Sequence, residues 1–323
     1  MEKTDILITG AAGSIGKELL NQLIVDSPNS NIVCIDNNES ALFEVQQELL
    51  DYSGRLDFIV VDLANGSWLS DRRLKNVKTV YHAAAFKHVG LSQSNELYYF
   101  LNNVGSMIKV LEFAKIDNSE LVLISTDKAV YPNNAMGATK RLCEFLVLAN
   151  KFSNTKVVRF GNVLNSNGSV IPIFKRQIKS GGPVTVTTPN TARYFMSISE
   201  AVGLVLRANK SRNNNKIKIL DMGPEIKIDS LARSMIEEAK MRVVDEGNKK
   251  FQSDIEIKYI GLRPGEKEHE LLTYGTLKTE EKIQNAVEEI FPNTGFIQYI
   301  IDCVDNSTLP NFQRIDWKNG CFL

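Results

Sequence analysis

The sequence is poor in the residues that mark several functional classes. Its four cysteines, Cys34, Cys143, Cys303 and Cys321, are scattered with no paired spacing. That argues against a disulfide framework or a cysteine metal site and fits reduced thiols in the cytoplasm. Histidine is scarcer still: His82 and His88 flank one strand end and His269 is remote, so their spacing predicts no metal centre. Apolar runs such as Ala201-Val202-Gly203-Leu204-Val205-Leu206 stop far short of the roughly 20 residues that a membrane span needs. Neither sign of charge is in excess, with 38 Lys+Arg against 38 Asp+Glu. No global field therefore draws the chain to nucleic acid or an anionic membrane, and any anion must be held locally. A glycine-rich turn begins at Gly10, which predicts that no signal peptide precedes the first strand.

What is present is alternation. Strand patterns at 5–9, 31–35, 57–61, 79–82, 121–125 and 156–160 are separated by helical ones, such as 14–25 with Ile15, Leu19, Leu20 and Leu23 on one face. This predicts an α/β protein with a doubly wound parallel sheet of the Rossmann type. After Gly161 the regularity breaks, and Gly168, Pro172, Gly181, Gly182, Pro183 and Pro189 punctuate shorter elements. The change predicts a smaller C-terminal lobe covering the strand ends.

The first chemical motif is Thr9-Gly10-Ala11-Ala12-Gly13-Ser14-Ile15-Gly16, placed directly after a strand and opening a helix. Gly10, Gly13 and Gly16 allow a tight turn and close backbone approach, and Ser14 and Ile15 start a helix whose N–H groups suit a pyrophosphate. Asp36 ends the second strand, where a carboxylate accepts hydrogen bonds from ribose hydroxyls and repels a 2′-phosphate. No Arg or Lys follows closely, so NAD is expected rather than NADP. Asp62 and Leu63 end the third strand and either meet the adenine edge or form a helix cap. The expected division is a NAD-binding domain over 1–165, with later segments returning to it, and 166–323 as mainly a substrate-binding lobe with a C-terminal tail.

The second motif runs Ser125-Thr126-Asp127-Lys128-Ala129-Val130 at the end of the apolar run Leu121-Val122-Leu123-Ile124. It sets an acid beside a base at the strand end where such sheets bind ligands. Met136 and Lys140 follow one helical turn apart, on a face expected to look into the same crevice.

The glycine spacing, His82-Ala83-Ala84-Ala85 and Lys140 together resemble the extended short-chain dehydrogenase/reductase family. Within it, Ser125 to Val130, Gly161-Asn162-Val163-Leu164, Gly168-Ser169-Val170-Ile171-Pro172 and Arg263-Pro264-Gly265-Glu266-Lys267 resemble the nucleotide-sugar 4,6-dehydratases that act on N-acetylglucosamine. The likeness is nearest to the capsule and glycan branch, whose long members are membrane-anchored and carry methionine in place of the usual tyrosine. Met136 stands at that place, and the resemblance implies a soluble form without the membrane part.

The resemblance implies an internal redox cycle. NAD takes hydride from C4, a base removes the C5 proton, an acid protonates the departing C6 hydroxyl, and the hydride returns to C6. It assigns Lys128 as the C5 base and Asp127 as the C6 acid. Thr126 relays the C4 hydroxyl proton, a task the Met136 thioether cannot perform. Tyr131 is a possible substitute for the missing tyrosine, but beside Pro132 it is expected to face elsewhere. Lys140 holds the cofactor's ribose, and Ala83 and Ala84 lie along the cofactor. On the substrate side, Asn162 meets the sugar or its phosphate and Ser169 and Val170 offer backbone N–H groups. Arg263 grips the diphosphate, Glu266 binds ribose hydroxyls, and Lys87 and Arg193 are further candidates for anion contact, or else plain surface charge. The segment Gly90 to Asn95 and Asn165, at a place where glycine is common, depart from the family pattern.

The expected product is a nucleotide-linked 4-keto-6-deoxy-GlcNAc with C5 retained, feeding bacillosamine- or legionaminic-type glycans. UDP is the default carrier and GDP the alternative. Family members often form dimers or larger homo-oligomers. The rival readings are a nucleotide-sugar 4-epimerase, which needs no C6 acid, and a noncatalytic NAD-binding scaffold.

Overall fold

In the computed structural model, which describes residues 5–116, 118–150, 154–166, 168–211, 215–248, 250–275, 282–285 and 292–323, the expected strands all form, with ends shifted by at most two residues. They are β1 (Asp5–Thr9), β2 (Ile32–Asp36), β3 (Leu56–Val60), β4 (Val77–His82), β5 (Glu120–Thr126) and β6 (Thr155–Phe160). Leu7, Ile8, Leu121, Val122 and Leu123 are fully shielded, as continuous apolar runs in a sheet covered on both faces should be. The helices α1 (Ser14–Asp26), α2 (Glu39–Glu48), α3 (Val89–Ser92), α4 (Glu96–Phe100), α5 (Ser106–Ile116) and α6 (Ala135–Ala149) connect them.

The sheet order is 283–285, 217–220, β6, β5, β4, β1, β2, β3, and every pairing is parallel except that of the 283–285 edge. Strand order reverses between β1 and β4, and ligands of doubly wound sheets bind outside the strand ends at such a switch point. Register aligns Thr9 with His82 and Thr126 with Phe160, so β1, β4, β5 and β6 finish at one edge.

The strand Ile217–Leu220 was not expected; Lys218 in its middle hides the apolar run, yet that lysine is almost wholly buried. A second, smaller core gathers Phe174, Ile178, Val184, Val186, Ile228, Ile236, Ile255 and Ile257 around a three-stranded parallel sheet of Val184–Val186, Asp254–Tyr259 and Arg242–Asp245. The C-terminal helix Thr294–Asp305 returns to the larger unit, where Phe296 packs edge-on against Phe145 of α6, with ring centroids 6.0 Å apart. No helix among the described residues is long and apolar enough to cross a membrane.

Candidate active site

A cavity of about 1160 Å³ opens at the shared strand edge, between the main sheet and the smaller core. Gly10, Gly13, Ser14, Ile15, Gly16, Asp36, Asp62, Leu63, Ala83 and Ala84 line one arm, and Thr126, Lys128, Met136 and Lys140 the centre. Lys87, Asn162, Ser169, Val170, Arg193, Arg263 and Glu266 border it on the other side. Asp127 alone among the expected residues does not line it, being completely buried immediately behind Thr126 and Lys128.

The first arm is shaped by backbone proximity. Gly10 has φ +69°, and a Cβ there would come within 2.6 Å of the Ala84 nitrogen; one on Gly16 would run into the Gly10 carbonyl. No side chain caps the start of α1, so its first turn is available to an anionic ligand. The Asp36 carboxylate is fixed beside this turn by N–H donors from Ala12 and Asn38, each at 3.0 Å. Asp62 accepts from the Ala64 N–H at 2.9 Å and caps a short helical turn while also bordering the cavity.

At the centre, Asp127 Oδ1 accepts from Thr126 Oγ1 at 2.8 Å and from Lys128 Nζ at 3.0 Å. Lys128 Nζ also donates to Asn162 Oδ1 at 3.1 Å. Asp127 Oδ2 is buried with no hydrogen-bond partner. A Cβ on Gly161 would sit 3.1 Å from that oxygen and 3.0 Å from Tyr194 Cβ, a tight fit that would press on both. An unsatisfied buried polar atom typically costs about 1–3 kcal/mol, more when charged.

Met136 is 3 % exposed and reaches the cavity wall one turn from Lys140. Lys140 Nζ donates to the Ile124 carbonyl at 2.6 Å, and burial lowers its pKa against the opposing pull of Cys143 and Glu144. His82 shares a 2.8 Å hydrogen bond with Thr9 Oγ1. Burial, with Lys140 nearby, pushes its pKa from 6.5 down to about 3. Because the folded value lies below the unfolded one, stability present above pH 6.5 is lost as pH falls through 6.5 toward 3. His82→Gln is expected to flatten that part of an acid-unfolding curve, measured by circular dichroism; an unchanged curve would contradict the assignment. Met136→Tyr is expected to fold at a cost of about 1 kcal/mol, since the longer side chain can extend into the cavity. Collapse of its melting transition would show that Met136 serves as core.

Tyr131 faces elsewhere: its ring lies 4.3 Å from that of Tyr274 and is absent from the cavity wall. Ser169 precedes the helix Val170–Lys179, and its buried Oγ has no partner. Arg193 borders the cavity, but its guanidinium donates to the carbonyls of Ala192, Lys267 and Glu268, which brace the 263–268 loop. Glu266 accepts from the Arg263 N–H at 3.1 Å, and Asn134 Nδ2 ties the same loop to α6 through the Gly265 carbonyl at 2.8 Å.

Two cavity-wall features escaped sequence reasoning. The His88 imidazole lies against Gly168, whose Cβ would fall 2.6 Å from Cε1, while the His88 carbonyl accepts from Tyr99. A π-helical turn, Leu101–Gly105, joins α4 to α5 and presents Asn103 to Phe86 N–H at 2.8 Å and Thr139 Oγ1 at 2.9 Å. Such turns have no local sequence signature, though they recur at functional sites.

Residues 6–291 match the family model described as "Polysaccharide biosynthesis protein". The chain belongs to that family. Among curated proteins of similar sequence, the capsular polysaccharide biosynthesis protein CapD of Staphylococcus aureus is 40% identical over 96% of this chain and 51% of its own length. The chain thus spans about half of that relative. A UDP-glucose 4-epimerase of Rickettsia bellii is 34% identical over 84% of this chain and 78% of its own. The crystal structure of Pen from Bacillus thuringiensis superposes with a TM-score of 0.75 at 32% identity, covering 84% of this chain and 81% of that one. The polysaccharide biosynthesis family match includes both arms of the cavity and the β5 end between them.

Proposed function

We propose that this chain is a NAD-dependent nucleotide-sugar 4,6-dehydratase, converting UDP-GlcNAc or GDP-GlcNAc to the 4-keto-6-deoxy sugar with C5 retained. The observation that carries this reading is Asp127, buried, bonded to Thr126 and Lys128 through one oxygen and unpartnered at the other. The C6 hydroxyl is the group that needs an acid, and in this reading it meets Asp127 once the sugar displaces the Thr126 and Lys128 side chains that cover it.

The residues fit NAD. The glycines let the first turn of α1 pack closely on the 83–84 segment and on Gly10, leaving its N–H groups to face a pyrophosphate, and Asp36 is held ready for two ribose hydroxyls. When bound, NAD supplies reversible hydride transfer between C4 and C6.

The chain's own groups handle the protons. Thr126 takes the C4 hydroxyl proton and passes its own to Asp127 along their 2.8 Å bond, making Asp127 the acid. In this reading Lys128 acts as an amine. A neutral amine has two N–H groups, and the bonds to Asp127 and Asn162 use both, leaving its lone pair for the C5 proton. Asp127 then protonates the C6 hydroxyl, which leaves as water. Lys128 returns its proton to the face of C5 from which it came, so configuration is retained. Lys140, close beneath the β5 end, and the Val170–Lys179 helix start with Arg263 suit the cofactor ribose and the diphosphate.

A second reading, a 4-epimerase, draws on the epimerase name of the Rickettsia relative. It gives the Asp127–Lys128 pair no work at C5 or C6. Turnover in deuterated water, where the Lys128 amine carries N–D, separates the two: dehydration places deuterium at C5, whereas product wholly free of label at C5 would contradict the dehydratase reading.

A further inference from the structure

Beneath the reacting strand end lies a buried ionic cluster for which the chemistry above has no use. Glu144, on α6 one turn beyond Lys140, is fully shielded, as are Arg141 and Arg159. Its Oε2 accepts from Arg159 at 2.7 Å and from Arg141 at 2.8 Å. Its Oε1 accepts from Arg159 Nε at 3.1 Å and from the Ser125 hydroxyl at 2.5 Å. Both arginines are anchored in turn: Arg159 donates to the Leu272 carbonyl at 2.8 Å, and Arg141 to the carbonyls of Trp317 and Lys318 at 2.9 and 3.2 Å. Ser125 borders the cavity and immediately precedes Thr126 and Asp127.

We propose that Glu144 is a positioning residue for the reaction: held by two guanidiniums, it fixes Ser125 and thereby the orientation of the Thr126-Asp127-Lys128 turn toward the sugar. A solvated turn after a strand would let these side chains swing, whereas proton transfer needs its partners within hydrogen-bond reach. Because the cluster joins α6, β5, β6 and the C-terminal segment, the turn is braced from the side opposite the ligand. Burial by itself would raise the Glu144 carboxyl, yet the Arg159 and Arg141 charges with their hydrogen bonds and that of Ser125 hold it down to about 2. It is therefore a fixed anion at any working pH. The same charge favours the protonated form of Lys140.

The inference rests on the proposal that the β5 end carries the chemistry, though not on which product forms. The test uses Ser125→Ala, Glu144→Gln and the double variant of the full chain. Each is assayed for whichever reaction the wild type performs, water loss or C4 isomer exchange, with bound NAD and melting temperature measured alongside. Each single variant is expected to lower kcat about 10–100-fold with the sugar KM and bound NAD little changed. The double variant should be no slower than Ser125→Ala alone, because Glu144 acts on the turn only through that hydroxyl. Unchanged kcat in the single variants, multiplicative losses in the double, or a loss that follows NAD content or KM would overturn the role. Should Glu144→Gln not fold, Ser125→Ala decides alone: slower kcat at unchanged KM upholds the proposal and unchanged kcat refutes it. Isomer exchange in the wild type would remove the dehydratase reading and leave this test standing.

Discussion

Asp127→Asn is expected to slow water loss from the nucleotide sugar by about 10²–10⁴-fold, the usual worth of a positioned general acid, while the bound dinucleotide stays in place. Asparagine keeps the shape and can still accept from Lys128, so the fold should survive. What it loses is the capacity to take a proton through Thr126 and release it to C6. Lys128→Met should fail to a similar degree for the complementary reason, since no lone pair then faces C5. Alanine at Lys128 is the poorer choice, because it also removes the packed aliphatic stem of the side chain, which methionine keeps. Single-turnover assays with bound NAD quantified on the same samples check both. Full turnover in either variant would remove that residue from the mechanism.

Arg159→Met is expected to destabilise the fold by about 3–5 kcal/mol, the cost of breaking a buried charge network by removing one partner. Arg159 supplies two of the bonds to Glu144 and satisfies the Leu272 carbonyl, and no solvent reaches the gap it leaves. The pH dependence follows from the same bonds. The Glu144 value lies near 2 in the fold against 4.5 as reference, so its contribution is complete above about 4.5 and is lost as pH falls toward 2. With Arg159 gone, the folded value rises and acid unfolding should begin at higher pH. Urea melts at neutral and acid pH measure both effects. A variant as stable as the wild type, with the same acid midpoint, would show that Arg141 alone satisfies Glu144.

The parts of this architecture that could be read from the chain are those coded locally. The Gly10, Gly13 and Gly16 spacing, the apolar β5 run and the position of Asp36 are each short patterns along the chain, and the cavity brings them together. The departure at Asn165 also has a local cause: its φ is +59°, a conformation that glycine adopts freely and asparagine tolerates. Features set by long-range pairing were not legible. Glu144, Arg141 and Arg159 look like ordinary helix and strand charges until β6 is laid beside β5 and the C-terminal segment crosses α6. Lys218 likewise disguised a strand that its pairing with β6 and the 283–285 edge explains. For Arg193, a side chain read as an anion contact or surface charge turned out to hold two carbonyls of the loop beside it, with that of Ala192.

The most direct test of the central claim is to incubate the purified chain with UDP-GlcNAc and with GDP-GlcNAc, each with and without added NAD, and follow the sugars by mass spectrometry. The account predicts that one nucleotide sugar loses a single water with no net change in NAD. Conversion to an isomer of unchanged mass, or no conversion of either sugar with NAD present, would contradict it.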